Sequence, residues 1–449
     1  MRASISHLVG MFVRRSPSRA AVLIFAAAAA FFSVLLRLPI ASADGRWTPW
    51  QDAVFTAVSA VTVTGLTSVD TATYWSPFGK VVILVAIQVG GLGIVTIALL
   101  LARAVTRTVG LGGKIFAQQN IGTELGEVRD LLQIVVVTTL AIEGALFVMI
   151  APPFIVRDGW LDGLWYGLFY AVSSFNNAGF SVHEGGLMPF AGDLWVLVPI
   201  MLGVLVGSLG FPVYLNLLHA RWNRKQWSLH TRLTTVTIVI LFILGAVLWT
   251  ATEWSNPRTI GDLPAGDKIF QGLFASVMLR SGGFAIIDTA QSTSTTLLIS
   301  DALMFVGGGS VSTAGGIKVT TLAVLLLAIV AEARGTRDVT VSRRTIPNGL
   351  LRVAISVTFL GAVLVLGATT LLTLVSDAPL DRILFEVISA FATCGLSVGL
   401  SAELEPVGKY VLAVLMLAGR IGPIGLASAL AVRQKNVLFT YPSERPIVG

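Results

Sequence analysis

The chain has 449 residues, of which 55% are hydrophobic and only 12% charged, with a mean hydropathy of +0.83. Soluble domains carry about 25% charged residues, so a water-soluble globular protein is excluded and a multi-span membrane protein is expected. The net charge of +7 would suit a nucleic-acid binder, but its basic residues are confined to segments between apolar runs, and no nucleic-acid partner is expected.

Eight apolar windows reach the ~20 residues that cross a bilayer. They lie near 20–40, 79–102, 131–152, 193–218, 233–252, 296–330, 352–375 and 407–432. The first follows Arg14 and Arg15 and precedes "ASADG", which resembles a signal-peptide cleavage site. Its apolar run exceeds the usual ~7–15 residues of such a peptide, so it is taken as a span. Four shorter amphipathic stretches, near 52–64, 164–178, 268–281 and 381–393, alternate with the spans and are too short to cross.

Lys and Arg crowd into the N-terminus, 103–129, 221–232, 334–352 and a tail holding Arg433, Lys435 and Arg445. If the windows cross alternately, all five segments share one side. The bias of basic loops places that side, with both termini, in the cytoplasm. A basic inner face also fits anionic membrane lipid. The opposite face is acidic, with Asp70, Asp158, Glu184, Asp262 and Glu405 among others, and would concentrate cations. The lone Cys394 rules out an intramolecular disulfide framework.

The four short stretches repeat one another. They read "FTAVSAVTVTGL" (Phe55–Leu66), "FYAVSSFNNAGF" (Phe169–Phe180), "LFASVMLRSGGF" (Leu273–Phe284) and "FEVISAFATCGL" (Phe385–Leu396). Their last glycines, Gly65, Gly179, Gly283 and Gly395, are spaced by 114, 104 and 112 residues. Three of the four have a serine six residues earlier, at Ser59, Ser173 and Ser389. The expected fold is therefore all-α: eight transmembrane helices plus four re-entrant pore helices, in four pseudo-symmetric membrane–pore–membrane repeats around one pore. Repeat boundaries fall at 20–102, 127–220, 233–332 and 352–433, flanked by 1–19 and a tail at 434–449.

A half-helix entering from outside points its partially negative C-terminal end at the membrane centre. Four around one axis would favour a cation there. Glycine then permits a left-handed turn, so the preceding carbonyls can face the axis and replace the hydration shell of a potassium ion. The candidate filter is Val63, Thr64, Gly65, Asn177, Ala178, Gly179, Ser281, Gly282, Gly283, Thr393, Cys394 and Gly395. No carboxylate stands among them, which favours a monovalent ion over the divalent ions that want charged oxygens.

Residues 296–306 and 317–331 are each too short to span, and "GGGSVSTAGG" (Gly307–Gly316) separates them. A broken crossing of this kind clusters at translocation sites. The candidate gate is Gly307, Gly308, Gly309, Ser310, Ser312, Thr313, Gly315, Gly316 and Lys318, whose ammonium could block cations. Arg420, inside the last span, is costly in a bilayer and should face water or a partner; it joins the gate as a positive constriction. Arg280 is expected to pair with Glu386. Glu143, inside the third span, receives no role.

The motifs "TVTGL", "SFNNAGF", "LRSGGF", "ATCGLS", "MFVGGGSVSTAGGIKVTT" and "AGRIGPIG" make the chain resemble the Trk/Ktr/HKT superfamily of cation-translocating subunits, most closely its KtrB branch, over nearly its whole length. The resemblance implies inward potassium transport through one pore, with an intramembrane loop as gate. It implies no organic cofactor in this chain. A glycine in all four filters goes with potassium in this superfamily and a serine in the first with sodium, so Gly65 fits potassium, with sodium as the second candidate ion. Gly282 stands where alanine is expected. The chain starts at the first repeat, without the extra helix pair of TrkH-like members. The resemblance further implies a homodimer, joined through the tail "YPSERPIVG", docked on a cytosolic ring of nucleotide-binding KtrA-type (RCK) subunits.

Two rival classes remain. An enzyme is disfavoured because His7, His183, His219 and His230 lie outside the spans or at their ends, no carboxylate pair lies in the core, and "GSLG" (Gly207–Gly210) has no base in reach. A secondary transporter of small organic solutes would show two large halves instead of four short repeats.

Overall fold

The computed structural model describes residues 17–108, 128–220, 223–336, 338–341 and 344–422. The expectations for the N-terminus, for the centre of the first basic loop, for the last span beyond Gly422 and for the 434–449 tail fall outside the described residues.

The helices, in chain order, are α1 (Pro17–Arg37), α2 (Trp50–Val61), α3 (Pro77–Thr108), α4 (Val128–Asp158), α5 (Trp160–Phe175), α6 (Leu194–Leu209), α7 (Phe211–Ala220), α8 (Leu229–Glu253), α9 (Ala265–Met278), α10 (Ser294–Met304), α11 (Val319–Ala333), α12 (Asn348–Val375), α13 (Leu380–Phe391), the single turn α14 (Leu400–Glu403) and α15 (Pro406–Ile421). A two-residue antiparallel ladder, β1 (Thr340–Val341) with β2 (Arg344–Thr345), folds the basic segment between α11 and α12. Among the described residues, α8, α12 and the Val135–Asp158 part of α4 are each long and apolar enough to cross a membrane. Their outward faces are apolar, as Val239, Ile243, Phe359 and Leu366 illustrate, because lipid and not water surrounds them.

The short helices α2, α5, α9 and α13 occupy the positions of the four repeated stretches. Each packs on the helix before it: α2 on α1, α5 on α4, α9 on α8 and α13 on α12. Each also packs on the apolar helix that follows another of the four turns: α5 on α3, α9 on α6, α13 on α10 and α2 on α15. The last of these contacts joins the two ends of the described chain, so the arrangement closes on itself. The core is therefore built around the short helices, with Phe55, Phe169 and Phe385 at or near zero exposure.

One predicted span is not straight. Residues 193–218 form α6 and α7, which pass together as one apolar stretch but are bent by 94° at Gly210. Gly210 has φ +94°, and the Phe211 amide donates to the Val311 carbonyl at 3.2 Å. The Gly309 amide donates to Ser208 O at 2.8 Å. The glycine-rich segment between α10 and α11 thus supplies hydrogen bonds where the α6–α7 ladder breaks, which is why the break is tolerated at depth.

The α2–α15 contact carries a buried ion pair, Lys409 Nζ to Asp52 Oδ1 at 2.8 Å. Asp52→Ala would leave the ammonium buried and unpaired, a loss of about 3–5 kcal/mol. The expected result is a clear drop in the unfolding temperature of the detergent-solubilised chain. The double variant Asp52→Leu/Lys409→Met should recover most of it; no recovery would mean the pair does not carry the contact.

Candidate functional site

Beyond each short helix the chain makes the same turn. Val63, Asn177, Ser281 and Thr393 are all left-handed, at φ +54°, +59°, +65° and +45°. Two residues later come Gly65, Gly179, Gly283 and Gly395 at +93°, +68°, +72° and +93°. A left-handed conformation at a β-branched residue is rare and costly, so its appearance at Val63 and Thr393 marks a turn that the surroundings impose.

The serines explain part of that imposition. Ser59 Oγ and Ser389 Oγ each accept the amide of the turn glycine six residues on, at 3.1 Å. Ser173 Oγ instead donates to Phe180 O at 2.9 Å. The backbone carbonyls of Ser59, Ser173 and Ser389 accept the amides of Thr64, Ala178 and Cys394 at 2.8, 2.7 and 2.8 Å. The third turn lacks that serine, and there the Gly282 amide closes on Met278 O at 2.8 Å.

The four turns meet. A Cβ on Gly65 would overlap the Ala178 carbonyl oxygen, and one on Gly395 would overlap Thr64 O. A Cβ on Gly283 would stand 2.7 Å from Cys394 O, and one on Gly179 3.2 Å from Gly282 O and 2.8 Å from the Gly283 Cα. In cyclic order, the carbonyl just before each glycine lies against the glycine of a neighbouring turn. Thr64, Ala178, Gly282 and Cys394 thus bring one carbonyl oxygen each to a common place. Of the carbonyls one residue earlier, Thr393 O is already engaged, accepting Ser281 Oγ at 2.5 Å. The four short helices end at this place, so their partially negative termini converge there.

The segment between α10 and α11 packs against these turns. Val306 and Ile317 form a parallel bridge at its neck. Gly307, Gly308 and Gly309 run along one side, with Gly307 N donating to Ile317 O at 2.9 Å. Ser310 Oγ pairs with Thr320 Oγ1 at 2.9 Å and Ser312 Oγ donates to Gly309 O at 2.6 Å. Gly315 N donates to Ser281 Oγ at 3.2 Å, so that hydroxyl links the segment to the third and fourth turns. Close by, Gly316 takes φ +67°. Lys318 Nζ bonds back to Ala314 O at 2.5 Å, and Arg420 Nη1 donates to Thr313 O.

Two expectations about charged residues change. Arg280 does not pair with Glu386: its Nη1 donates to Val306 O at 3.0 Å. Glu386 is occupied by Ser397 Oγ at 2.8 Å, the amides of Val398 and Ser401 at 3.2 and 3.0 Å, and the Ser401 hydroxyl. Four donors from one tight turn satisfy a carboxylate better than one long side chain would. Glu143, which had no role, accepts Gln88 Nε2 at 3.1 Å and Asn176 Nδ2 at 2.9 Å. Asn176 caps α5, so this span-borne carboxylate braces the second turn. Asn176 stands inside "SFNNAGF", and its pairing with an intramembrane acid was the available signal.

His183 lies in the segment after the second turn, stacked among Phe154, Tyr166 and Tyr170, and its Nδ1 pairs with the Tyr170 hydroxyl at 2.7 Å. Burial pushes its imidazole down from 6.5 to about 4. The unfolded chain therefore takes up a proton that the folded chain refuses within that window. The stability this group contributes is present above pH 6.5 and is lost as pH falls toward 4. Unfolding temperatures measured between pH about 7 and about 5 should fall, and His183→Gln should flatten that slope; an unchanged slope would place the pH response elsewhere.

Apolar outer faces, helices of spanning length and backbone turns meeting inside the bundle define a multi-pass membrane protein of transporter type. The TrkH family profile, described as "Cation transport protein", matches residues 15–437. The chain is 35% identical over 440 residues to the Ktr system potassium uptake protein B of Bacillus subtilis, covering 98% of each. It is 32% identical over 427 residues to the potassium/sodium uptake protein NtpJ of Enterococcus hirae, covering 93% of this chain and 94% of that one. The potassium transporter TrkH of Vibrio parahaemolyticus has the same fold, with a TM-score of 0.74 over 92% of this chain and 84% of that chain at 18% identity. The chain belongs to the TrkH family of cation transport proteins.

Proposed function

We propose that the chain carries potassium inward across the bacterial cytoplasmic membrane, as the membrane subunit of a Ktr-type system with both termini cytoplasmic. Its four membrane–pore–membrane repeats would enclose one pore, and eight long crossings would surround four short helices. The observation that carries this is the meeting of four carbonyls, from Thr64, Ala178, Gly282 and Cys394, each against a glycine of a neighbouring turn. Uncharged oxygens in that number suit a weakly hydrated monovalent ion. The printed names of the relatives, potassium uptake and potassium/sodium uptake, support the same ion class.

The 305–318 segment then serves as gate. It lies against the filter turns, ends in the cationic Lys318, is held at Thr313 O by Arg420 of α15, and is built largely of residues small enough to rearrange. The Ktr system name supports a partner subunit; a homodimer on a nucleotide-binding ring is the assembly we assign. Sodium is the second reading, favoured by the likeness to NtpJ.

Potassium-limited growth of an uptake-deficient bacterium expressing the chain, with and without a KtrA-type partner, tests the assignment. Rescue that depends on the partner is expected. No rescue by a chain shown to reach the membrane would reject it. Rubidium flux measured with and without competing sodium separates the two ions.

A further inference from the structure

Three cationic side chains touch the gate segment. Arg280 Nη1 binds Val306 O at 3.0 Å, Lys318 Nζ binds Ala314 O at 2.5 Å, and Arg420 Nη1 binds Thr313 O. Among the described residues no carboxylate forms an ion pair with any of them. Arg420 is 4% exposed, and its Nε and Nη2 have no hydrogen-bond partner. Lys318 and Arg420 take adjacent carbonyls of one loop, Ala314 O and Thr313 O, so two like charges gather at one short stretch of backbone.

Such an arrangement is incomplete. A guanidinium taken out of water needs a counter-charge and partners for its remaining N–H groups, and here the neighbouring charge has the same sign. Arginine and lysine only donate, so whatever partners the remaining N–H groups must accept. A water molecule can accept but leaves both charges uncompensated. A cation is repelled. The residues beside the pair, Ser312, Thr313 and Ala314, are 3%, 2% and 1% exposed. Their hydroxyls are already committed, Ser312 to Gly309 O and Thr313 to Gly207 O, so a polyoxyanion would find few further donors there.

We propose that Lys318 and the free Nε–Nη2 edge of Arg420 form a binding site for a small monovalent inorganic anion, chloride under cellular conditions. The bound anion ties the end of the gate segment to α15 and stabilises the arrangement in which Arg420 holds Thr313 O. One net positive charge remains at the site, so it still repels a cation. Binding stands on the geometry alone, whereas the effect on flux rests on the transport function proposed above.

Bromide replaces chloride and scatters anomalously, so the full chain crystallised from potassium bromide gives a direct test. An anomalous peak in contact with both Lys318 Nζ and Arg420 Nη2 is expected, and it should vanish in Arg420→Gln and weaken in Lys318→Met. Bromide found elsewhere on the chain with only water at this position overturns the proposal. The companion measurement is rubidium efflux from proteoliposomes with chloride or gluconate on the gate side. Chloride at about ten times its Kd should slow efflux about tenfold, and the substitutions should abolish the difference. Equal efflux in the two anions, with the peak present, overturns the gating role. A peak without efflux in either anion supports the site and counts against the transport assignment instead.

Discussion

Gly65→Ser should reduce potassium uptake by about 10- to 100-fold while raising the share of sodium carried. Two separate costs act at this position. The backbone sits at φ +93°, where an L side chain is strained, typically by about 1–3 kcal/mol. The added Cβ also overlaps Ala178 O, a backbone atom of the neighbouring turn that cannot rotate away. Since about 1.4 kcal/mol is a factor of ten, strain alone accounts for the lower bound, and displacement of a carbonyl from the meeting point accounts for the rest. Gly45→Ala separates the two. Gly45 has φ +67° with nothing within 4 Å of its Cβ position. It suffers comparable strain away from the filter, so uptake should stay near wild type. If Gly45→Ala and Gly65→Ser lose uptake equally, strain on folding is the cause and the filter reading of Gly65 fails. The rise in sodium is what the superfamily resemblance implies for serine in the first filter.

How much of this was legible depends on the range of the interactions involved. The apolar windows and the recurring glycine are local signals, and α2, α5, α9 and α13 lie where the repeated stretches were found because a short amphipathic segment has one apolar face to bury. The serine six residues before the glycine was visible as a pattern, but its bond to the glycine amide needs the turn geometry. The side-chain partners were not legible. Arg280 and Glu386 looked like a natural ion pair, being the charged members of two successive repeated stretches, yet Glu386 is claimed by a turn only 11 to 15 residues away. Arg280 is claimed by Val306 O, at the neck of the glycine-rich segment. The break at Gly210 was hidden because hydropathy averages over the window. It depends on hydrogen bonds from Gly309 and to Val311, about 100 residues further on, and no composition reports those. Gln88, Asn176 and Glu143 come from three different helices, so their network is a product of packing.

The Thr313 hydroxyl is where the proposed gate and the second turn are most directly joined, and its removal should loosen that segment. Three acceptors lie within reach of its one hydrogen, Gly207 O nearest at 2.9 Å, Phe175 O at 3.1 Å and Asn177 Oδ1 at 3.3 Å. Phe175 ends α5 and Asn177 is the left-handed residue of the second turn, so the gate is pinned to the structure that presents Ala178 O. Thr313→Val nearly keeps the volume and deletes the donor, leaving buried carbonyl oxygens without it, a loss of about 1–3 kcal/mol. That loss falls on the conformation in which the loop is docked, because an undocked loop can offer these groups to water. The docked-to-undocked ratio should therefore fall by about 5- to 150-fold. Rubidium flux through the chain without a ring partner should rise accordingly, while Thr313→Ser, which keeps the donor, should stay close to wild type. Filter selectivity should change much less than flux, since the backbone around Gly179 retains its Ser173 anchor through the Ala178 amide at 2.7 Å. A Thr313→Val chain that folds and shows no added flux would mean the hydroxyl does not hold the gate, and the contact between loop and filter would then be packing without control.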